Sequence, residues 1–174
     1  MLPAMDWRAS YFITFTCYGA RLHGDDRGSW GRGRGGEPSR PVDPNAALVS
    51  RREHVMAGPP LLLSKPMREL ATAAAVEVIT TRDWKLFAFH ARTNHVHVVL
   101  WADAAPEFVM RTLKAWITRR LREANLVGSE DRVWTRHGST RYLWNRNEIE
   151  SAVAYVVDNQ GEDIGGLVLG TDRD

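Results

Sequence analysis

Asn94-His95-Val96-His97-Val98-Val99-Leu100 places two histidines one residue apart inside a β-branched run. Successive side chains of a strand turn to opposite faces, so His95 and His97 project together while Val96, Val98 and Leu100 point the other way. Two imidazoles side by side, with a packed apolar face behind them, form half of a metal site. Strand histidines also serve purely structural roles, so the neighbouring elements have to decide between the two.

Outward from this strand, Leu86–Ala91 reads as its antiparallel partner, joined through Arg92-Thr93-Asn94. Asn94 at that turn either closes the turn or orients His95, and the turn is the simpler role. Trp101 shares the histidine face, where it can stack a base or simply pack. Tyr11–Tyr18, rich in β-branched and aromatic residues, reads as a buried strand carrying the lone cysteine, Cys17, as a core residue. Ser64 caps a helix running to about Thr81, with Pro66 in its first turn. A second long helix spans about Ala105–Asn125, and a short one is expected over Ala46–Ala57. Val133–Thr135 and Arg141–Trp144 read as strand pieces around a turn at His137-Gly138-Ser139, and Asn147 caps a last helix to about Asn159. The order βαββαβα predicts one antiparallel sheet with helices packed on one face, an α+β sandwich.

A single domain of 174 residues fits this pattern, since 44% hydrophobic residues are enough for one core. Residues 19–47, with their Gly/Arg/Pro-rich composition, read as a long flexible insertion, and residues 161–174 as an acidic tail. No stretch has the length and apolarity of a membrane span, the first residues lack the features of a signal peptide, and one cysteine excludes an internal disulfide. A cytoplasmic, nucleoid-associated protein is the expectation.

Charge is unevenly placed. Of the 23 basic residues, 20 are arginine, the side chain that grips phosphate through two parallel hydrogen bonds, although a GC-rich genome produces the same bias. Residues 108–146 carry nine basic and three acidic groups, whereas residues 147–174 carry one basic and seven acidic. On the second long helix, Met110, Leu113, Trp116, Ile117, Leu121 and Ala124 gather on one side, and Arg111, Lys114, Thr118 and Arg122 on the other. That polar stripe is either a solvated face or, with Arg136 and Arg141, a phosphate-contacting surface.

What completes the histidine pair is not one of the familiar zinc patterns. No cysteine pair, no HExxH and no carboxylate at HxHxD spacing occurs. The last helix buries Ile149, Ala152, Val153 and Val156, and leaves Tyr155 and Asn159, four residues apart, on an exposed edge. A phenol and an amide oxygen are thereby offered together.

Asn94-His95-Val96-His97-Val98-Val99-Leu100, a basic amphipathic helix, and Trp144-Asn145 ahead of a Tyr155-Val156-x-x-Asn159 helix together resemble the single-tyrosine HUH transposases, in the style of the REP-associated tyrosine transposases. The likeness runs from about Tyr11 to Gln160; the Gly/Arg-rich run at 27–36 and the short acidic tail depart from it. The resemblance implies a ferredoxin-like fold and action on single-stranded or hairpin DNA. It also implies an obligate homodimer in which the tyrosine helix can serve the partner's site. His95 and His97 match the metal-binding pair, here for Mg²⁺ or Mn²⁺, and Tyr155 matches the nucleophile. The third ligand falls at Asn159 on helical spacing, or at Gln160 if the helix has already ended. The expected product is a 5′-phosphotyrosine link with a free 3′-hydroxyl, which conserves the phosphodiester energy for rejoining. Two other readings stay open, a non-catalytic hairpin DNA- or RNA-binding module and a metal-independent phosphoesterase. The second needs two separated His-x-Thr/Ser motifs, which the chain does not supply.

Overall fold

In the computed structural model of the chain, residues 9–20, 29–31, 40–54, 56, 58–158 and 167–168 are described. The alternation in β5 (His95–Trp101) organises everything around it. Val96, Val98 and Leu100 are fully buried against the apolar sides of α2 (Lys65–Thr81) and α3 (Pro106–Glu123), among them Ala71, Ala75, Val78, Leu113, Ile117 and Leu121. Each buried leucine or isoleucine there contributes about 1.5–3 kcal/mol by leaving water. Packing of this kind, rather than helix propensity, holds such helices in place.

β5 is flanked by β1 (Ser10–Cys17) and β4 (Lys85–Ala91), and β1 is flanked in turn by β6 (Trp134–Leu143). Every pairing is antiparallel, and a two-residue β7 (Leu167–Val168) extends the sheet beyond β4 to give the order β6-β1-β5-β4-β7. β1, α2, β4, β5, α3 and β6 thus form the βαββαβ unit of a ferredoxin-like α+β fold. Outside the main sheet, β2 (Ser29–Gly31) pairs with β3 (Arg40–Val42), and α1 covers Ala46–His54, inside the helix expected there. Of the insertion expected at 19–47 and the acidic tail expected at 161–174, residues 21–28, 32–39, 161–166 and 169–174 lie outside the described residues. Among the described residues, no helix is long and apolar enough to cross a membrane.

Three local expectations need correction. The stretch 134–143 is one continuous strand rather than two pieces around a turn. Pairing with β1 along Thr14↔Ser139 and Phe15↔Gly138 holds the Gly-containing segment extended, and an irregularity between Phe15 and Cys17 absorbs the extra residues. Gly138 is needed for space: a Cβ there would lie 2.5 Å from both Met110 Sδ and the Thr14 carbonyl oxygen. The last helix, α4 (Arg146–Asp158), is capped by Asn145 rather than Asn147. Asn145 Oδ1 accepts from the Glu148 N–H at 3.0 Å, while the Glu148 carboxylate accepts from the Trp144 N–H and from Asn145 Nδ2. This is a reciprocal cap three residues long.

The third correction concerns layers. α2 and α3 cover one face as expected, but α4 lies over the other. There Ile149, Ala152 and Val156 bury against Ala88, Val99 and Leu143. The odd-numbered side of β5, starting with His95 and His97, is therefore the side that α4 partly roofs.

Candidate active site

The site is built on the α4 side of the central strands. In the ladder His97 stands opposite Thr14, and His95 opposite Thr16. Phe12, Thr14 and Thr16 share one face of β1, opposite the core residues Tyr11, Ile13, Phe15 and Cys17. The polar strip of the sheet is thus set by the same alternation that sets the core.

His95 Nε2 and His97 Nε2 face each other at 3.0 Å. Their outer nitrogens are both engaged: His97 Nδ1 with Thr14 Oγ1 at 2.8 Å, and His95 Nδ1 with Asn94 Oδ1 at 2.6 Å. With Nδ1–H donating to each oxygen, both Nε2 lone pairs point into one small space. Neutral imidazoles with their second nitrogen held by an oxygen are what a metal-ligating pair requires. The donor set fits a divalent ion with positions left for oxygen ligands. Asn94 therefore orients His95 as well as occupying the turn, a role that the sequence reading set second. Thr14 carried no signal of its own, because only the strand register reveals that it faces His97.

His90 also pairs opposite His97, on β4, and is buried. Even so, among the described residues no group of three His, Cys, Asp or Glu side chains is placed to hold an ion together. Asn159 and Gln160, the two candidates for a third ligand, lie outside the described residues.

Tyr155 is brought to the pair. Its ring is 45% exposed and meets His97 edge-to-face at 5.7 Å and Phe12 at 5.8 Å. Phe12 in turn lies 5.5 Å from the His97 ring, so the three rings fix one another. Ile149, Ala152 and Val156 anchor α4 and so fix the height of Tyr155 above the sheet. All of this is assembled within one chain.

The basic candidates divide. Arg141, exposed on β6, reaches over Phe12 with its guanidinium carbon 5.6 Å from the ring, and so joins the site face. Arg136 is exposed on the same edge strand. Arg111, Lys114, Thr118 and Arg122 lie on α3, across the sheet from the histidines. Lys114 Nζ donates to the Thr135 and His137 carbonyls at 3.0 and 3.2 Å, and burial lowers its pKa. Thr118 Oγ1 accepts from Trp134 Nε1, and Arg122 donates to the Asp131 carbonyl. Arg111 stacks over Phe108. Lys114, Thr118 and Arg122 thus fasten α3 to β6 and the segment leading into it. Trp101 sits roughly 13 Å along β5 from His97 and is covered by the Lys85 ammonium.

The chain matches no protein-family profile and no curated protein. Among solved structures, it is similar to a REP-associated tyrosine transposase bound to a REP hairpin. The TM-score is 0.47 at 13% sequence identity, over 87% of this chain and 66% of that one. The chain thus spans just under two thirds of that protein's length.

Proposed function

We propose that this protein nicks and rejoins single-stranded DNA next to hairpins, with Tyr155 as the nucleophile. The observation that carries the reading is the meeting of Tyr155 with His97, whose Nε2 faces that of His95 across 3.0 Å. His95 and His97, with Asn159 or Gln160, would hold Mg²⁺ or Mn²⁺. When bound, such an ion neutralises and orients the non-bridging phosphate oxygens.

The chain's own groups do the rest. Tyr155 Oη attacks phosphorus as its proton leaves. The new phosphorus–oxygen bond replaces the bond to the 3′-oxygen of the preceding nucleotide, which departs as a 3′-hydroxyl. DNA is left joined to Tyr155 through its 5′-phosphate, and attack by a 3′-hydroxyl reverses the exchange without ATP. Thr14 and Asn94 fix the imidazoles, Phe12 holds the Tyr155 ring against His97, and Arg136 and Arg141 contact phosphate from the edge strand. One nucleophile per chain and two strand breaks per excised segment make a homodimer part of this reading.

The test is a denaturing gel with end-labelled hairpins that carry single-stranded flanks, taken from DNA beside the protein's own coding region, in Mn²⁺ or EDTA. The expected outcome is label at protein size that needs both Tyr155 and the metal ion, and that Tyr155→Phe abolishes. Tight hairpin binding without any adduct would instead make the protein a binding module. Hydrolysis in EDTA without an adduct would make it a phosphoesterase.

A further inference from the structure

Beyond Tyr155, the edge of the sheet displays a second set of aromatic rings. Tyr142 and Trp144 are stacked, centroids 5.3 Å apart with planes 13° from parallel, yet they remain 42% and 56% exposed. A single exposed ring is ordinary; a contiguous, ordered pair on a surface marks a binding position. The pair is held from both sides. Buried Tyr11 meets Tyr142 edge-to-face at 5.2 Å, and the Trp144 N–H is fixed to Glu148 in the cap of α4.

Beside the rings runs an open groove of about 510 Å³, lined also by Arg141, Asn147, Glu148 and Ser151. One water takes up only ~30 Å³, so a planar ring system has room there. Two paths connect this groove to the nucleophile. Asn147, Ser151 and Tyr155 follow one another at four-residue intervals along α4, which sets Tyr155 about 12 Å further along the helix. Arg141 lies over Phe12, whose ring touches both Tyr155 and His97.

We propose that Tyr142 and Trp144, with Arg141, form a shelf on which unpaired bases of the DNA strand stack as it runs toward Tyr155. The inference rests on the nicking function proposed above and names how the substrate's single-stranded flank is held. Stacking on a flat ring requires a base face that a duplex keeps covered, so this shelf selects unpaired nucleotides. Charge agrees: β6 carries Arg136 and Arg141 and no acidic residue. The nearby carboxylates of Glu148 and Glu150 are engaged by the helix cap and by Arg146. An arriving polyanion therefore meets the Arg141 guanidinium beside the two rings, while the acids nearest the groove, Glu148 and Glu107, are held by the cap of α4 and by the Thr140 hydroxyl.

The experiment compares fluorescence polarisation of a labelled hairpin bearing single-stranded flanks with that of the same hairpin trimmed to its duplex stem. Wild type, Trp144→Ala, Tyr142→Ala/Trp144→Ala and Trp144→Phe are each checked for folding by circular dichroism. The double variant is expected to lose about tenfold or more in affinity for the flanked hairpin, in line with the removal of one or two stacking platforms. Its affinity for the trimmed stem should not change, and Trp144→Phe should stay within a few-fold of wild type. Unchanged flank affinity in the folded double variant would overturn the proposal, as would an equal loss on both oligonucleotides. A fall from dimer to monomer with flank affinity intact would also overturn it, and would assign the shelf to a second copy of the chain. Adduct formation by wild type is read in parallel. An adduct with no effect of the double variant removes the shelf alone, whereas flank affinity lost in the double variant without any wild-type adduct removes the nicking reading alone.

Discussion

The rings of Tyr155 and His97 meet edge-to-face, 5.7 Å between centroids and 74° between planes. One belongs to a helix and the other to the central strand it roofs, so their separation depends on how α4 sits on the sheet. Phe12 touches both rings and acts as the spacer. The proposed nucleophile and the candidate ion site are thus held at fixed distance by packing, with the phenol still open to solvent.

Thr14 and Asn94 hold the outer nitrogens of His97 and His95. Groups of this kind typically contribute ten- to a hundredfold in metal affinity. Thr14→Val, close in shape but unable to accept the Nδ1–H, should weaken Mn²⁺ binding by about that factor, and Asn94→Ala likewise. Thr14→Ser should keep most of the affinity. Calorimetric titration with Mn²⁺ checks this, and wild-type affinity in Thr14→Val would mean that the imidazoles need no such support.

Much of this was readable in advance because alternation and amphipathicity are local. His95 and His97 sharing a face, the apolar backing of Val96, Val98 and Leu100, and the buried stripe of α3 all follow from sequence spacing. What escaped was set by pairing between distant segments. Nothing local ties Thr14 to His97, 83 residues away. The edge ladder with β1 overrode the turn-forming look of His137-Gly138-Ser139. Lys114 and Thr118 read as an open basic stripe, yet β6 lies close enough to take their polar atoms as structural ties. Nor does the pattern of α4 say which face of the sheet it covers, since both faces offer apolar residues.

Gly138→Ala tests how tightly β6 is pressed onto α3. The new Cβ would collide with Met110 Sδ and with the Thr14 carbonyl oxygen, both at 2.5 Å. Methionine can swing away, but the carbonyl belongs to the neighbouring strand and cannot. The variant should lose about 1–3 kcal/mol in chemical denaturation. Because the strand that must move carries Thr14, it should also bind Mn²⁺ more weakly. Unchanged stability would mean that the two strands separate freely here.

Cys17 should be chemically silent in the folded protein. It is fully buried, and burial pushes its thiol up to about 12. At pH 8 only roughly one part in ten thousand is thiolate, the reactive form. Labelling by a maleimide should therefore proceed at the rate of unfolding, and become immediate in denaturant. Rapid stoichiometric labelling of native protein would contradict the packing around β1.

Glu77 on α2 accepts from Arg120 and Trp116 on α3, and Arg120 also pairs with Glu123. The Arg120 guanidinium, followed by the Trp116 N–H, holds the Glu77 carboxyl below its usual range. A depressed folded-state value means that the stabilisation is complete above the unfolded carboxylate value, about 4.3, and is lost as pH falls through the lower folded value. Glu77→Gln should thus lower Tm slightly at pH 7, and the gap should close on acidification toward pH 3. A gap independent of pH would mean that the side chain contributes by packing rather than by charge.

Ile149 ties the fold to the proposed chemistry from within the core that fastens α4. It is 3% exposed and belongs to the cluster that fastens α4 to Ala88, Val99 and Leu143. Ile149→Ala removes buried hydrocarbon at a cost of about 2–5 kcal/mol. The loss should be local, because α2 and α3 bury a separate and larger cluster on the other face. Hydrogen exchange should speed up along 146–158 and stay slow in α2 and α3. Adduct formation should drop although Tyr155, His95 and His97 are all present, since Tyr155 then wanders from His97. If exchange rose equally in both layers, the two faces would be one cooperative unit. If the adduct formed at the wild-type rate from a loosened α4, the observed Tyr155–His97 contact would not be the working arrangement.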